Sequence, residues 1–201
     1  MPDLKQNLDI SKCPHCRVDR PNLSMLGAVI ETTDYKFEGR RFWIVYKCSR
    51  CGGVVTASSP DAGGQVSEIY PSPVEIDDSL PLTAKSYLEQ ALNSLHAPAG
   101  AVMLAASSVD AMLKAKGYKD GSLHSRINKA AEDHLITSDM AKWAHDVRLD
   151  ANDQRHADEN ATMPDAADAR KCVDFAKALG EFLFVLPARV QRGLAEAKTE
   201  K

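Results

Sequence analysis

This sequence has no excess of positive charge: 28 acidic residues stand against 25 lysines and arginines, for a formal net charge of −3. Its overall field therefore does not draw it onto a polyanion, and any contact with nucleic acid has to use a local patch. It also lacks a long apolar run. The most apolar stretch, around Leu179 to Pro187, is interrupted by Gly180 and Glu181. It falls far short of the roughly 20 residues that a membrane-spanning helix needs. The start, Met1-Pro2-Asp3-Leu4-Lys5-Gln6-Asn7, has no apolar secretory core. From these absences we expect a cytoplasmic protein, kept reduced, with no membrane partner. There is no Gly-rich phosphate loop, no nucleophile elbow and no catalytic-metal motif, which argues against the common hydrolase and nucleotide-using classes. No internal repeat or low-complexity segment is present.

The composition that remains is globular, with 44% hydrophobic and 26% charged residues, enough apolar surface to fold rather than stay disordered. A length of 201 residues suits one medium domain or two small ones. The pattern changes near residue 80. Before it come strand signals. Leu26 to Thr33 and Arg40 to Lys47 are rich in β-branched and aromatic residues, with a shorter run from Gly53 to Ala57. Glu38-Gly39 reads as the hairpin turn between the first two. Ser58-Ser59-Pro60, Gly63-Gly64 and Tyr70-Pro71-Ser72-Pro73 read as a breaker-rich connector. After Leu80-Pro81 the apolar spacing is helical. We expect helices over Thr83 to about Ala97, Pro98 to Gly117 and Ser122 to Leu135. A fourth is capped by Ser138 and reaches about Ala157, and a fifth runs from Pro164-Asp165 to Leu186-Pro187. An amphipathic tail, Ala188 to Lys198, continues beyond a kink. The fold class is α+β, with a β-rich domain and connector over 1–80 and an all-α up-and-down bundle of about five helices over 81–201.

Of five cysteines, four form two close pairs, Cys13-Pro14-His15-Cys16 and Cys48-Ser49-Arg50-Cys51. Two thiols two residues apart can be aimed by one tight turn at one ion, and two such turns complete the tetrahedral sulfur shell of a closed structural zinc site. We therefore expect one structural zinc on Cys13, Cys16, Cys48 and Cys51, with no chemistry at it. Two disulfides are the competing arrangement, disfavoured in a reducing compartment. A redox pair would want a strand-then-helix setting that is missing, and His15 as a ligand is unnecessary with four cysteines. Gly52 and Gly53 follow the second pair, where a positive φ is often required. The ribbon has basic residues (Arg17, Arg20, Arg40, Arg41, Lys47, Arg50) and the aromatics Phe42, Trp43 and Tyr46 for stacking. Acidic residues are about as frequent there, and one of the two alternating faces has to be core. A nucleic-acid role and a structural or protein-contacting role both remain open.

The fourth predicted helix carries the second candidate. At about 100° per residue, His145, Arg148, Asn152, Arg155 and His156 share roughly a 100° arc beside an apolar stripe of Met140, Trp143, Ala144, Val147 and Ala151. Arginine holds and neutralises phosphate, histidine moves protons near neutral pH, and asparagine orients either one, a set suited to phosphodiester chemistry. The plain alternative is the solvated side of an amphipathic helix. Cys172 lies among Phe175, Ala176, Leu179 and Phe182 and reads as a buried thiol. Trp143 reads as a core or dimer-face aromatic, and His124 and His134 as solvated. The small residues from Ala101 to Ser108 suit a central helix or a dimer seam.

Taken together, Cys13-Pro14-His15-Cys16, the second cysteine pair, Tyr70-Pro71, Leu80-Pro81 before a helix with Tyr87 and Ala91, and the Arg148, Asn152, His156 series resemble the bacterial family named domain of unknown function 4145, over nearly the whole chain. That family looks related to the HEPN superfamily of helical bundles, many of which are metal-independent ribonucleases in defence and RNA processing and others binding modules. The resemblance implies a HEPN-like bundle, a homodimer through it, and Arg148, Asn152 and His156 as site residues, with Arg155 adjoining. Asp110 stands where an acidic residue faces the motif. The spacing from Arg148 to His156 is longer than in the ribonuclease motif, and Ala151 stands where that motif has a polar residue. The expected function is a nucleic-acid-binding or partner-binding HEPN-like module, in a phage-defence or restriction setting. The alternative is a metal-independent endoribonuclease.

Overall fold

The computed structural model describes residues 2–72, 75–145 and 163–199. The chain divides into two compact units, Met1–Glu75 and Ile76–Lys201. The arrangement is α+β, with a four-stranded antiparallel sheet in the first unit and helices in the second.

The sheet runs in the order β1 (Leu23–Thr32), β2 (Arg41–Cys48), β3 (Val54–Ser59), β4 (Glu68–Tyr70). Strand β4 falls inside the stretch read from sequence as connector; three residues are too few to show a period of two. The turn between β1 and β2 is also wider than a Glu38-Gly39 hairpin. The Asp34 carboxylate accepts the Lys36 and Glu38 amides at 2.8 and 2.9 Å, so an Asx-type turn organises the loop. The register of β1 on β2 slips between Leu26 and Ile30 at Gly27, whose φ is +73°. This bulge bends the strand and breaks the run of free edge groups. Leu23, Ile44, Tyr46, Cys48, Val55 and Ala57 form the buried face. The N-terminal segment crosses that face: the Val66 amide donates to Pro2 O at one end and the Met25 amide to Gln6 O at the other. It buries Leu4 and Leu8, and the Tyr46 hydroxyl donates to Lys5 O at 2.7 Å. Burial pushes that phenol up to about 12.

In the second unit, α1 (Leu82–Asn93), α2 (Pro98–Ala115) and α3 (Leu123–Glu132) are followed by a helical run over 138–145, named α4, and by α5 (Ala166–Gly180). Helix α1 stops before the predicted Ala97 because Pro98 holds Ala97 in extended backbone, φ −124° and ψ 79°. The Ser122 side chain caps α3. His134 ends it at φ +57°, with the Leu135 amide reaching Ala130 O and the His134 amide reaching Ala131 O. That is the left-handed helix stop usually made by glycine. Thr137, rather than the expected Ser138, caps α4, through the Met140 amide at 3.1 Å. Asp165 caps α5 in a reciprocal box with Asp168.

Helix α2 is the central element, packing on α1, α3 and α5. Its Ala101, Val102, Ala105, Ala106, Val109 and Met112 are all buried, and the buried Ser108 hydroxyl donates to Ala84 O at 2.8 Å. Cys172 is buried, as expected. The helix does not end at Pro187. A π turn, Glu181–Val185, leads into α6 (Leu186–Thr199), with the Leu186 amide reaching back to Glu181 O. A proline ring collides with the carbonyl four residues earlier in an α-helix; one widened turn lets the chain pass it. Among the described residues, no helix is long and apolar enough to cross a membrane.

Candidate functional site

Two turns of the same construction meet at one corner of the sheet unit. In the first, the Arg17 amide donates to Cys13 O and the Cys13 amide to Val18 O; in the second, Gly52 donates to Cys48 O and Cys48 to Gly53 O. In both, the residue after the second cysteine is left-handed, Arg17 at φ +60° and Gly52 at φ +72°. Arginine does in one turn what glycine does in the other. The four sulfurs all lie within 4.8 Å of one another, with Cys13 and Cys51 at 4.0 Å. All four are free thiols, so the disulfide alternative is not adopted. Sulfurs bound tetrahedrally at about 2.3 Å from one ion stand about 3.8 Å apart, which this cluster reaches with a small contraction. These four residues can hold a metal ion.

Three of the thiols differ in their electrostatics. Burial raises the Cys13 thiol, partly offset by the Cys16 and His15 amides. Burial also works against the Cys48 thiolate, yet the Cys51 and Arg50 amides and the neighbouring thiols bring it down to about 7. Burial and the surrounding sulfurs push Cys51 up to about 12. Four thiolates cannot coexist at this spacing without a cation. His15 is no ligand in this arrangement. Its Nε2 contacts Val54 O at 2.7 Å, and its ring lies over Gly53, where a Cβ would meet it at 2.4 Å. Gly53 is therefore required by close approach, whereas Gly52 takes without strain the left-handed φ that Arg17 adopts in the other turn.

The sheet's other face is partly exposed, with Ser58 buried within it. Directly opposed residues share a face, so the register places Ile30, Trp43, Ser58 and Glu68 in one row and Leu26, Val45, Thr56 and Tyr70 in the next. Arg41 and Lys47 lie at either end of β2. Ile30, Leu26, Val54 and Tyr70 are exposed. Trp43 is anchored by its indole N–H on Thr32 Oγ1 at 2.9 Å, with its ring 6.4 Å from that of Tyr70. The question left by the alternation is answered: Ile44 and Tyr46 are core with Phe42 packed against them, and Trp43 and Val45 belong to the partly exposed face. Beside Tyr70 a cavity of about 390 Å³ is rimmed by Glu68 and Glu75, the wrong charge for phosphate.

In the helical unit, Arg148, Asn152, Arg155 and His156 lie outside the described residues. Among the described residues Asp110 pairs with Arg126 of α3, a residue outside that series, whose guanidinium also donates to Lys119 O at 3.0 Å and Gly121 O at 2.7 Å. Lys114 completes the group at 2.6 Å. This clamp ties α2 to α3 and the intervening loop. His124 is not isolated. Its ring stacks on His145 with centroids 4.3 Å apart, and Asn128 contacts both, His124 Nδ1 at 3.2 Å and His145 Nε2 at 2.7 Å. The two imidazoles come from α3 and α4. Only the i, i+4 spacing of His124 and Asn128 was visible in the sequence. Trp143 packs edge-on against Phe175 at 5.0 Å.

The chain matches the family described as "Domain of unknown function (DUF4145)" over residues 88–197. It belongs to that family. No curated protein and no solved structure matches it. The DUF4145 match spans the helical unit from Leu88 of α1 almost to the end of α6, and the cysteine turns lie outside the matched residues.

Proposed function

We propose that this DUF4145 protein is a binding module whose zinc-stabilised sheet takes single-stranded nucleic acid on its partly exposed face. The observation that carries this reading is that face itself, where the Trp43 and Tyr70 rings stand among Leu26, Ile30 and Val45, with Arg41 and Lys47 at its two ends. Bases stack on such aromatics whatever their identity, and flanking cations track the phosphates. The four-sulfur turns supply the rigid frame, and zinc is the ion that four thiolates at this spacing favour. With all four positions filled by cysteine, the ion is structural. The helical unit is the HEPN-like partner of this module, in a defence or restriction setting.

The test is fluorescence anisotropy of labelled single-stranded RNA and DNA with the metal-loaded chain. Trp43→Ala is expected to weaken binding about 10- to 100-fold, the scale of one lost stacking platform. Arg41→Ala with Lys47→Ala is expected to lower the salt dependence of binding. Affinity indifferent to Trp43→Ala sinks the reading, and selective capture of a folded protein by this face would replace it. Metal analysis is expected to find one zinc per chain.

A second reading, a metal-independent endoribonuclease on Arg148, Asn152 and His156, is favoured by one observation. The described run of α4 ends, three residues before Arg148, on an imidazole, His145, held by Asn128. Cleavage of an RNA pool without added divalent metal, leaving cyclic phosphate ends and lost in His156→Ala, would support it. Equal cleavage by both proteins would remove His156 from the mechanism.

A further inference from the structure

Helix α6 exposes an apolar stripe. Leu186, Val190 and Leu194 are 48%, 53% and 60% exposed, and among the described elements α6 packs chiefly on the π turn that precedes it. In the middle of the stripe stands Gly193, exposed. A glycine there costs the helix about 1 kcal/mol relative to alanine. Its own chain does not call for it, since a Cβ at 193 would meet nothing within 4 Å among the described residues. A glycine on an exposed helix face suits close approach of a second backbone.

We propose that α6 pairs antiparallel with α6 of a second copy of this chain. The seam reads as a heptad, with Val190 and Ala197 at one core position and Leu186 and Gly193 at the other. In an antiparallel pair these alternate across the two-fold axis. Val190 then faces Gly193 of the second copy, and Leu186 faces Ala197 of the second copy, large against small in every layer. The same register sets Leu194 beside Pro187 of the second copy. On the opposite flank it sets Arg189 beside Glu196 of the second copy, twice by symmetry. A parallel pair would set Arg189 against Leu194 and lose this charge match. In the single chain Arg189 reaches Glu181 at 3.1 Å, both well exposed, a contact that solvent screens and that association can share.

A 14-residue helix is about 21 Å long. Two of them crossing bury on the order of 1,000 Å², at the low end for specific association. The dimer is therefore concentration-dependent, with a dissociation constant in the micromolar range. The seam also differs from the small residues of α2, for which the sequence allowed a central helix or a dimer seam and whose alanines are buried within the bundle. It stands or falls independently of nucleic-acid binding.

Sedimentation equilibrium of the full metal-loaded chain tests it. The mass is expected to rise from 21.9 kDa toward twice that value with concentration. Val190→Glu, at an exposed position, is expected to weaken association at least ~10-fold with helicity unchanged. Arg189→Glu and Glu196→Arg are each expected to weaken it about 5- to 20-fold, because each turns two attractions into two repulsions. The double variant, Arg189→Glu with Glu196→Arg, restores the match and is expected to return to near the original affinity. A chain monomeric at every concentration leaves the stripe to some other protein and overturns the proposal. So does a dimer indifferent to Val190→Glu, or a double variant as weak as its parents.

Discussion

The two units of this chain solve the same problem by different means. The sheet unit has few residues with which to build a core, and two of its buried positions are the cysteines Cys13 and Cys48. Small units of this kind seldom bury enough apolar surface to offset chain entropy without a staple. The four-sulfur corner, which can hold an ion, is placed to be that staple. Among the described residues the helical unit has no such cluster. It relies on small residues that let α1, α2 and α5 approach closely, with Phe175, Leu88, Met112 and Leu179 filling the space between them. One unit carries a cluster able to hold an ion, and the described part of the other is held by packing, helix caps and the Asp110–Arg126 clamp.

The largest expected effect breaks that contrast directly. Cys48→Ser, or removal of the ion by a strong chelator, is expected to unfold the sheet unit, because binding energy at such a site is folding energy. The helical circular-dichroism signal should persist while Trp43 fluorescence shifts to that of a solvated indole and proteolysis cuts within the first 75 residues. Loss of both units together would show that they are one cooperative body. The mirror experiment is Phe175→Ala, which leaves a cavity beside Trp143 and is expected to cost about 3–5 kcal/mol. Denaturant unfolding followed by helical signal should record it, with metal content unchanged.

Smaller changes sharpen the comparison. Gly53→Ala drives a methyl into the His15 ring and is expected to cost about 1–3 kcal/mol, read as easier loss of the ion to a competing chelator. Asp165→Ala removes the α5 cap and is expected to cost about 1 kcal/mol, read in the helical unfolding transition alone. The Asp168 and Ala167 amides hold the Asp165 carboxyl below its ordinary 3.8. A depressed folded value means that the cap stabilises above the unfolded pKa and is lost as pH falls through the folded one. The Asp165→Asn variant should keep the cap and lose that acid dependence, a difference confined to pH below about 4.

Much of this was legible because it rests on local chemistry. Two Cys-x-x-Cys pairs specify a four-sulfur corner wherever the chain folds. Pro98, Ser122 and Asp165 mark helix starts through a missing N–H or a side-chain acceptor, and the change of period near residue 80 separates sheet from helices. What was missed has no local signal. Arg17 and His134 adopt the left-handed conformation without being glycine. Strand β4 is recruited by the edge of β3. The wide loop after β1 follows from two hydrogen bonds to Asp34. At Pro187 the sequence marks a helix end with an amphipathic tail beyond a kink; a π turn carries the helix through it instead.

The sequence by itself determined the fold class, the four-cysteine corner, the family and the buried helix faces, because periodicity, caps and thiol spacing act over a few neighbouring residues. Only the tertiary structure decided which face of β2 is core, since alternation marks two faces without saying which one Leu4 and Leu8 will cover. It alone brought His124, Asn128 and His145 together, set Asp110 against Arg126, and turned α2's small residues inward while leaving those of α6 outside. Each of these depends on residues distant in the chain meeting in space, and no spacing within one segment encodes that.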